Sequence, residues 1–290
     1  CKSNKFHLLD LIKQTSQINE GIISCNKCNL KVNIINGIPR FVNQDNYTNN
    51  FGIQWNIHLI LEYAAFFIGF RYYLYLKKKA KDQISSTNRL SIIIGAVFGA
   101  FFGSRIIGFL EAPYVNTFNL NYVLQLLNAK TIMGGLFGGL IGVELAKCYI
   151  GERKSSGDLF TFPIILGIII GRIGCFLAGT NEFTYGKVTN SFVGMDLGDG
   201  LRRYPLALFE ILFLMILWFF LGQYQRKKQL DINSGLIFKN FMIFYFLFRF
   251  FIEFLKPNTF LIFGLSTIQY LCILCLIYYH KTIRRFLYAY

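Results

Sequence analysis

Residues 159–178 decide the fold, and they read LFTFPIILGIIIGRIGCFLA. About twenty apolar residues are what an α-helix needs to cross a hydrocarbon core of ~30 Å, so we predict a transmembrane helix here. Its single charged residue is Arg172. A charge within such a span costs at least ~2.5 kcal/mol on insertion scales, so it normally faces protein or a water-filled cavity and indicates a functional site.

Six further stretches have a similar length and apolar composition. They occupy residues 58–76, 90–110, 131–150, 205–222, 236–255 and 259–279. The chain of 290 residues is 54% hydrophobic and only 16% charged, a balance that is rare in soluble domains. We therefore predict an all-α polytopic membrane protein with seven transmembrane helices in a domain 58–290. A small outer loop region at 179–204, with short strands within 184–196, and a short irregular N-terminal segment at 1–57 complete it.

Lysine and arginine are unevenly distributed among the predicted loops. They are concentrated in 77–89, 151–158, 223–235 and the C-terminal tail, whereas the alternate loops hold few. The positive-inside rule then predicts an N-terminus outside and a C-terminus in the cytoplasm. The formal net charge of +15 has two possible explanations, and both stay open. The charge in the loops sets the orientation of the protein in the membrane, or it attracts the protein to anionic lipid headgroups. Nothing in the sequence indicates a basic soluble module that would bind nucleic acid.

Ionisable residues and glycines recur inside the predicted helices. The ionisable ones include Glu62, Arg105, Arg172, Glu210, Arg249 and Glu253, and glycine stripes include Gly134 and Gly135. Arg249 and Glu253 are four residues apart, so a structural ion pair on one helix face is an alternative to a functional role. Arg172 lies between glycines and shares a helix face with Cys175 and Gly179. A guanidinium in such a small-walled cavity is suited to bidentate capture of a phosphate.

Several motifs, in their order along residues 55–285, resemble those of the prolipoprotein diacylglyceryl transferase family. They are Gly-Gly-Leu-Ile-Gly-Val at 138–143, Gly-Arg-Ile-Gly-x-Phe-x-x-Gly at 171–179, Leu-Phe-Glu ending at Glu210, and Leu-Phe-Arg-x-x-x-Glu-Phe at 247–254. The resemblance implies transfer of a diacylglyceryl group from phosphatidylglycerol to the lipobox cysteine of a prolipoprotein, with release of glycerol phosphate. It also implies the bacterial inner membrane, phosphatidylglycerol and a prolipoprotein signal peptide as partners, and no cofactor required for the chemistry.

The resemblance also implies residue roles. Arg172 and Arg249 match the family's essential arginines, which would stabilise charge on the leaving phosphate. The family's histidine before a Gly-Gly pair is replaced by Met133 or by Phe137, so we hypothesise that Glu62 or Glu210 serves as the base. None of the three histidines, His7, His58 and His280, is expected inside the bundle. The predicted substrate-binding residues are Arg105, Gly171, Gly174, Cys175, Gly179, Asp158, Glu253, Gly134 and Gly135.

Three points stay open at this level. Cys175 stands where the family has asparagine, and it is either a small buried filler or a nucleophile. A non-catalytic relative that binds anionic lipid or lipoprotein, and a small-solute transporter, are alternative functions. Cys25 and Cys28 form a Cys-x-x-Cys pair that, with Cys1, could hold a structural zinc, because region 1–56 is similar to a zinc-ribbon leader found ahead of some methyltransferases. This favours a fragment of a longer protein over a processed lipoprotein.

Overall fold

The computed structural model describes residues 6–14, 17–25, 31–35, 38–40, 44–80, 82–111, 129–181, 184–227, 234–257 and 262–288. The chain divides into two compact units, Cys1–Ile57 and His58–Tyr290.

The first unit contains a four-stranded antiparallel sheet in the order β1-β2-β3-β4. Its strands are β1 (Phe6–Gln14), β2 (Gln17–Cys25), β3 (Lys31–Ile35) and β4 (Ile38–Arg40). Val32 and Ile34 alternate along β3 and are both buried, as the two-residue period of a strand requires. The prediction of an irregular segment was therefore wrong. It was based on the cysteine spacing, whereas the alternation of apolar residues is the pattern that indicates a strand.

The second unit is helical. Its described helices are α1 (Gln44–Lys79), whose first residues belong to the first unit, α2 (Ser86–Glu111), α3 (Ile132–Ile150), α4 (Asp158–Ala178), α5 (Leu206–Lys227), α6 (Leu236–Ile252), α7 (Thr267–Tyr278) and α8 (His280–Tyr288). Within the described residues, five segments are long and apolar enough to cross a membrane: Ile57–Lys79 of α1 and the whole of α2, α3, α4 and α5. The chain is thus a mostly helical, multi-pass membrane protein.

The last two predicted spans are not α-helical over their full predicted length. Helix α6 has 17 residues and continues into a 3-10 turn at Glu253–Leu255. Helix α7 begins only at Thr267, although the prediction placed helix from residue 259. Two local features explain the late start: Phe263 and Gly264 adopt positive φ angles of 57° and 66°, and Ser266 caps α7 in a capping box.

The bundle has its core between α4, α5, α6 and α7, where Ile165, Leu214, Phe241 and Cys272 are fully buried. Large apolar side chains also lie on the outside of the helices, and Phe66 is 71% exposed. Such a surface would be a liability in water but is what a helix presents to lipid tails.

The glycine stripes bring α2 and α3 into backbone contact. A Cβ atom on Gly99 would overlap the carbonyl oxygen of Gly138, and a Cβ on Gly134 would overlap that of Gly103. Small residues at four-residue spacing allow this approach in a membrane.

Asp82, in the loop between α1 and α2, forms an ion pair with Arg89 in the first turn of α2. The Asp82 carboxylate accepts a hydrogen bond of 2.8 Å from Arg89 Nε, and Arg89 also donates to the Ser156 carbonyl at 3.1 Å. Burial acts to raise the pKa of Asp82, but hydrogen bonds from Arg89 and from the Ile84 backbone N–H outweigh it and hold that pKa below its usual value.

A small head follows α4. It contains the two-residue strands β5 (Met195–Asp196) and β6 (Arg202–Arg203), so only β5 falls inside the predicted strand region. The head is fastened to the bundle by backbone hydrogen bonds from Thr180 N–H to Leu197 O (3.1 Å) and from Lys187 N–H to Leu255 O (2.7 Å). It therefore lies over the ends of α4 and α6.

Candidate active site

The two predicted catalytic arginines converge on one carboxylate. Arg172 of α4 places Nε 2.9 Å from Glu210 Oε2, and Arg249 of α6 places Nη1 3.0 Å from the same oxygen. Glu210, on α5, is 1% exposed, and both arginines are buried. Three helices thus meet at a single buried charge cluster.

Tyr245 and Glu253 complete this cluster. The Tyr245 hydroxyl donates to Glu210 Oε1 at 2.5 Å, and Arg249 Nη2 donates to Glu253 Oε2 at 2.9 Å. Two guanidinium groups therefore face two carboxylates, and the charges balance. Tyr245 was not among the predicted site residues. Its spacing of four from Arg249, which is itself four residues before Glu253, is the signal that could have identified it, because all three lie on one helix face.

Two guanidinium N–H groups of the cluster are available to a further hydrogen-bond acceptor. In the described part of the chain, Nε of Arg172 and Nε of Arg249 are buried without a hydrogen-bond partner. The Arg172 Nε is near Glu210, but its N–H does not point at the oxygen, so that contact is an ion pair without a hydrogen bond. Fixed donors of this kind can stabilise negative charge that develops on a bound group.

Glu210 is placed as a counter-ion. Its two oxygens already contact Tyr245 and both arginines. Because both oxygens are engaged and the side chain is buried, an acceptor thiol has no open approach to this carboxylate. This placement favours a positioning role over the predicted role of base.

Cys175 and His58 adjoin the cluster. The Cys175 Sγ lies 3.7 Å from Arg172 Nη1 and 3.7 Å from His58 Nε2. Gly174 permits this approach, since a Cβ there would come within 3.3 Å of the His58 ring. The expectation that every histidine lies outside the bundle was wrong for His58. No sequence spacing links α1 to α4, so this contact arises only from tertiary packing.

A small cavity of about 10 Å³, enough for about one water molecule, lies next to Cys175 under the head. It is lined in part by Cys175, Gly179, Tyr185, Leu197 and Leu206. Gly179 has a positive φ of 59° and a Cβ there would overlap the Leu197 carbonyl, so the chain turn that forms this wall requires glycine. Around Gly171 a Cβ would meet no atom within 4 Å, so that position is open.

The head contributes a charge pair next to this cavity. Arg203 Nε donates to Asp199 Oδ2 at 2.8 Å, and the Arg203 guanidinium lies 4.8 Å from the centre of the Tyr185 ring. The hydrogen bond from Arg203 lowers the pKa of Asp199 below its usual value. The Asp199 carboxylate is thus ionised at neutral pH and holds Arg203 beside the cavity wall.

Glu62 and Arg105 lie apart from the arginine cluster. Glu62 pairs with Lys130 at 3.0 Å, with side chains 29% and 53% exposed. Arg105 donates to the Ala129 carbonyl at 3.0 Å and lies 5.3 Å from the centre of the Phe101 ring. Their described contacts therefore tie the ends of α1 and α2 to the chain just before α3.

Asp158 occupies the opposite end of α4. Its carboxylate accepts hydrogen bonds from Ser234 Oγ (2.9 Å), Gly235 N–H (2.6 Å) and Phe238 N–H (2.9 Å). It therefore caps the start of α6. At 1.5 Å of rise per residue it is about 20 Å from Arg172 along α4, too far to touch the same headgroup.

Gly134 and Gly135 face α2, not the charge cluster. A Cβ on Gly135 would approach Ala100 and Ser104 of α2 at 3.8 Å. Their described surroundings make them packing positions.

The cysteines of the first unit leave the zinc prediction untested. Cys25 is buried at the end of β2, while Cys1 and Cys28 lie outside the described residues. Within the described residues no group of three or more metal-ligating side chains occurs.

Sequence comparisons agree with the geometry. The family model described as "Prolipoprotein diacylglyceryl transferase" matches residues 49–282. The chain is similar to proteins named phosphatidylglycerol–prolipoprotein diacylglyceryl transferase from three bacteria. Identity is 32% for Rickettsia felis (66% of this chain, 75% of the relative), 32% for Ehrlichia ruminantium strain Welgevonden (66% and 76%) and 30% for Hydrogenovibrio crunogenus (70% and 77%). No solved structure gives a significant match.

Proposed function

Because the chain belongs to the prolipoprotein diacylglyceryl transferase family, we propose that it transfers a diacylglyceryl group from phosphatidylglycerol to a cysteine thiol of a prolipoprotein. Glycerol phosphate is released. The observation that carries the proposal is the convergence of Arg172 and Arg249 on Glu210 inside the helical bundle.

The reaction is a displacement at carbon. The acceptor sulfur forms a bond to the terminal glycerol carbon of the diacylglyceryl group, while the bond from that carbon to the phosphate oxygen breaks. The electron pair stays on the phosphate oxygen. Arg172 and Arg249 stabilise this growing negative charge, and Glu210 holds the two guanidinium groups together before the phosphate binds. The displacement changes no oxidation state, so it requires no redox cofactor.

The membrane arrangement we propose has seven spans, formed by the five long helices together with α6 and α7. Loop charges support an N-terminus outside, a C-terminus in the cytoplasm and a charge cluster near the outer face of a bacterial inner membrane. Cys175 faces a small cavity on that side, and we propose that the lipid headgroup and the signal peptide of the acceptor approach the cluster there. Both substrates would reach the cluster from the same side.

The test is a transfer assay with vesicles that contain labelled phosphatidylglycerol and a lipobox peptide with a free thiol. Arg172→Lys keeps the charge but loses the planar fork, and we expect its rate to fall about 10²–10³-fold. Arg153→Ala, in an exposed loop, is the matched control and should transfer at the parental rate. Growth rescue of cells depleted of their own transferase gives the same comparison in vivo. An Arg172→Lys variant that transfers as fast as the parent would contradict the proposal.

A non-catalytic lipid binder is the second candidate. It is favoured by Met133 and Phe137, the two positions where the family resemblance implies histidine, because neither side chain can accept a proton. A parent protein that binds phosphatidylglycerol vesicles in an Arg172-dependent manner but transfers no diacylglyceryl group would identify this function.

A further inference from the structure

The proposed reaction needs a group that accepts a proton. A free cysteine thiol has a pKa of about 8.5, so most of an acceptor peptide is protonated at neutral pH, and the thiolate is the nucleophile. The two glutamates considered as bases are both engaged with cations: Glu210 with two arginines, and Glu62 with Lys130.

Cys175 lies between two cationic or proton-carrying groups. Its sulfur is 3.7 Å from His58 Nε2 on one side and 3.7 Å from Arg172 Nη1 on the other. A thiol beside an imidazole and a guanidinium ionises more readily than a free thiol. Cys175 also lines the small cavity under the head, so its sulfur borders the space on that side of the pair.

We propose that Cys175 and His58 form a thiolate–imidazolium pair that takes the proton from the acceptor thiol. This inference rests on the proposed transfer function and assigns the base that the sequence did not identify. Neither residue forms a bond to the diacylglyceryl group, because a thioether on Cys175 would be a dead end.

The proton taken from the acceptor thiol passes through the pair and leaves it unchanged after one cycle. The acceptor S–H gives its proton to the Cys175 thiolate, and the acceptor thiolate attacks the glycerol carbon. The electron pair of the broken carbon–oxygen bond stays on the phosphate, next to Arg172. His58, already protonated, releases its proton to the departing phosphate or to water, and then receives the proton from Cys175. The pair is thereby restored.

Other charged and titratable groups near the pair hold fixed charge. Arg172 on α4 contacts Cys175 directly, and Glu210 on α5 pairs with Arg172. Tyr245 and Arg249 on α6 contact Glu210 in turn. An arginine remains protonated and Glu210 is held ionised by two of them. Within this set, His58 and Cys175 are therefore the groups able to exchange a proton near neutral pH.

The experiment measures diacylglyceryl transfer to the lipobox peptide from pH 6 to pH 10. Variants are His58→Gln, His58→Ala and Cys175→Ser, with Cys148→Ser, an exposed cysteine on α3, as the matched control. We expect each His58 or Cys175 variant to lose about 10²–10⁴-fold in rate at pH 7. Their rates should then rise with pH through about 8.5, where the acceptor thiol ionises without help. Added imidazole should partly restore His58→Ala, and Cys148→Ser should match the parent.

The outcomes separate this inference from the function on which it rests. A parent that transfers no diacylglyceryl group overturns the proposed function. A parent that transfers while His58→Gln or Cys175→Ser keeps its rate and pH profile overturns only the role of the pair. A rate loss that keeps the parental pH profile and that imidazole does not relieve also overturns it, because His58 then acts by packing alone. Sedimentation and thermal unfolding of each purified variant establish that it is folded before the rates are compared.

Discussion

Replacing Glu210 by glutamine tests whether the charge cluster depends on this carboxylate. The side chain keeps its shape and one acceptor oxygen, but two buried guanidinium groups lose their shared anion. Removing one partner of a buried ion pair typically costs about 3–5 kcal/mol, because it leaves a charge uncompensated in a low-dielectric interior. We expect a loss of this size in the free energy of unfolding, measured along an SDS titration in mixed micelles.

The matched control is Glu144→Gln on α3. Glu144 pairs with Lys147 at 3.6 Å, but its side chain is 48% exposed, so the pair contributes at most about 1 kcal/mol. Phosphatidylglycerol provides a second readout: because the freed arginines then lack an anion, this lipid should stabilise Glu210→Gln more than it stabilises the parent. Equal losses in the two variants, or no difference between phosphatidylglycerol and a zwitterionic lipid, would refute the counter-ion role.

Three further outcomes are expected. Asp158→Ala should lower the free energy of unfolding by about 1–3 kcal/mol through loss of the α6 cap, with little effect on the transfer rate of folded protein. Gly99→Ala should destabilise the α2–α3 contact by about 1–3 kcal/mol, whereas Gly222→Ala, where a Cβ meets open space, should stabilise by about 0.5–1 kcal/mol in the same unfolding assay. Because folding lowers the pKa of Asp82, its ion pair with Arg89 stabilises the protein above about pH 4, and this contribution is lost as the pH falls through the folded pKa. The stability difference between the parent and Asp82→Asn, followed from pH 6 to pH 3, should therefore shrink on acidification.

Hydropathy located most of the helices well. The predicted spans 131–150 and 159–178 agree within one residue with Ile132–Ile150 and Asp158–Ala178. A long apolar run has one stable solution in lipid, since every backbone group must bond within the segment. The late start of α7 was not predictable in this way, because a capping box and two positive φ angles act locally and leave composition unchanged.

The site residues also differed in how far the sequence predicted their positions. Buried arginines and glutamates must find partners in a membrane, so the sequence indicated Arg172, Arg249, Glu210 and Glu62 as candidates. It did not show that Glu210 pairs with both arginines while Glu62 pairs with Lys130, because these contacts depend on how the helices pack. Asp158 was assigned to the site because a motif placed it near the signature helix, but a motif does not show at which end of a 21-residue helix the chemistry occurs.

His58 shows what neither hydropathy nor motif order can provide. It precedes the other site residues by more than a hundred positions and reaches Cys175 only because Gly174 lets α1 approach α4 closely. The resemblance implied that the usual acid–base residues were absent, which favoured either a different base or loss of activity. Packing brings an imidazole beside the cysteine that stands where the resemblance implies asparagine, so a group able to exchange a proton lies next to Arg172 although the predicted spans placed no histidine there.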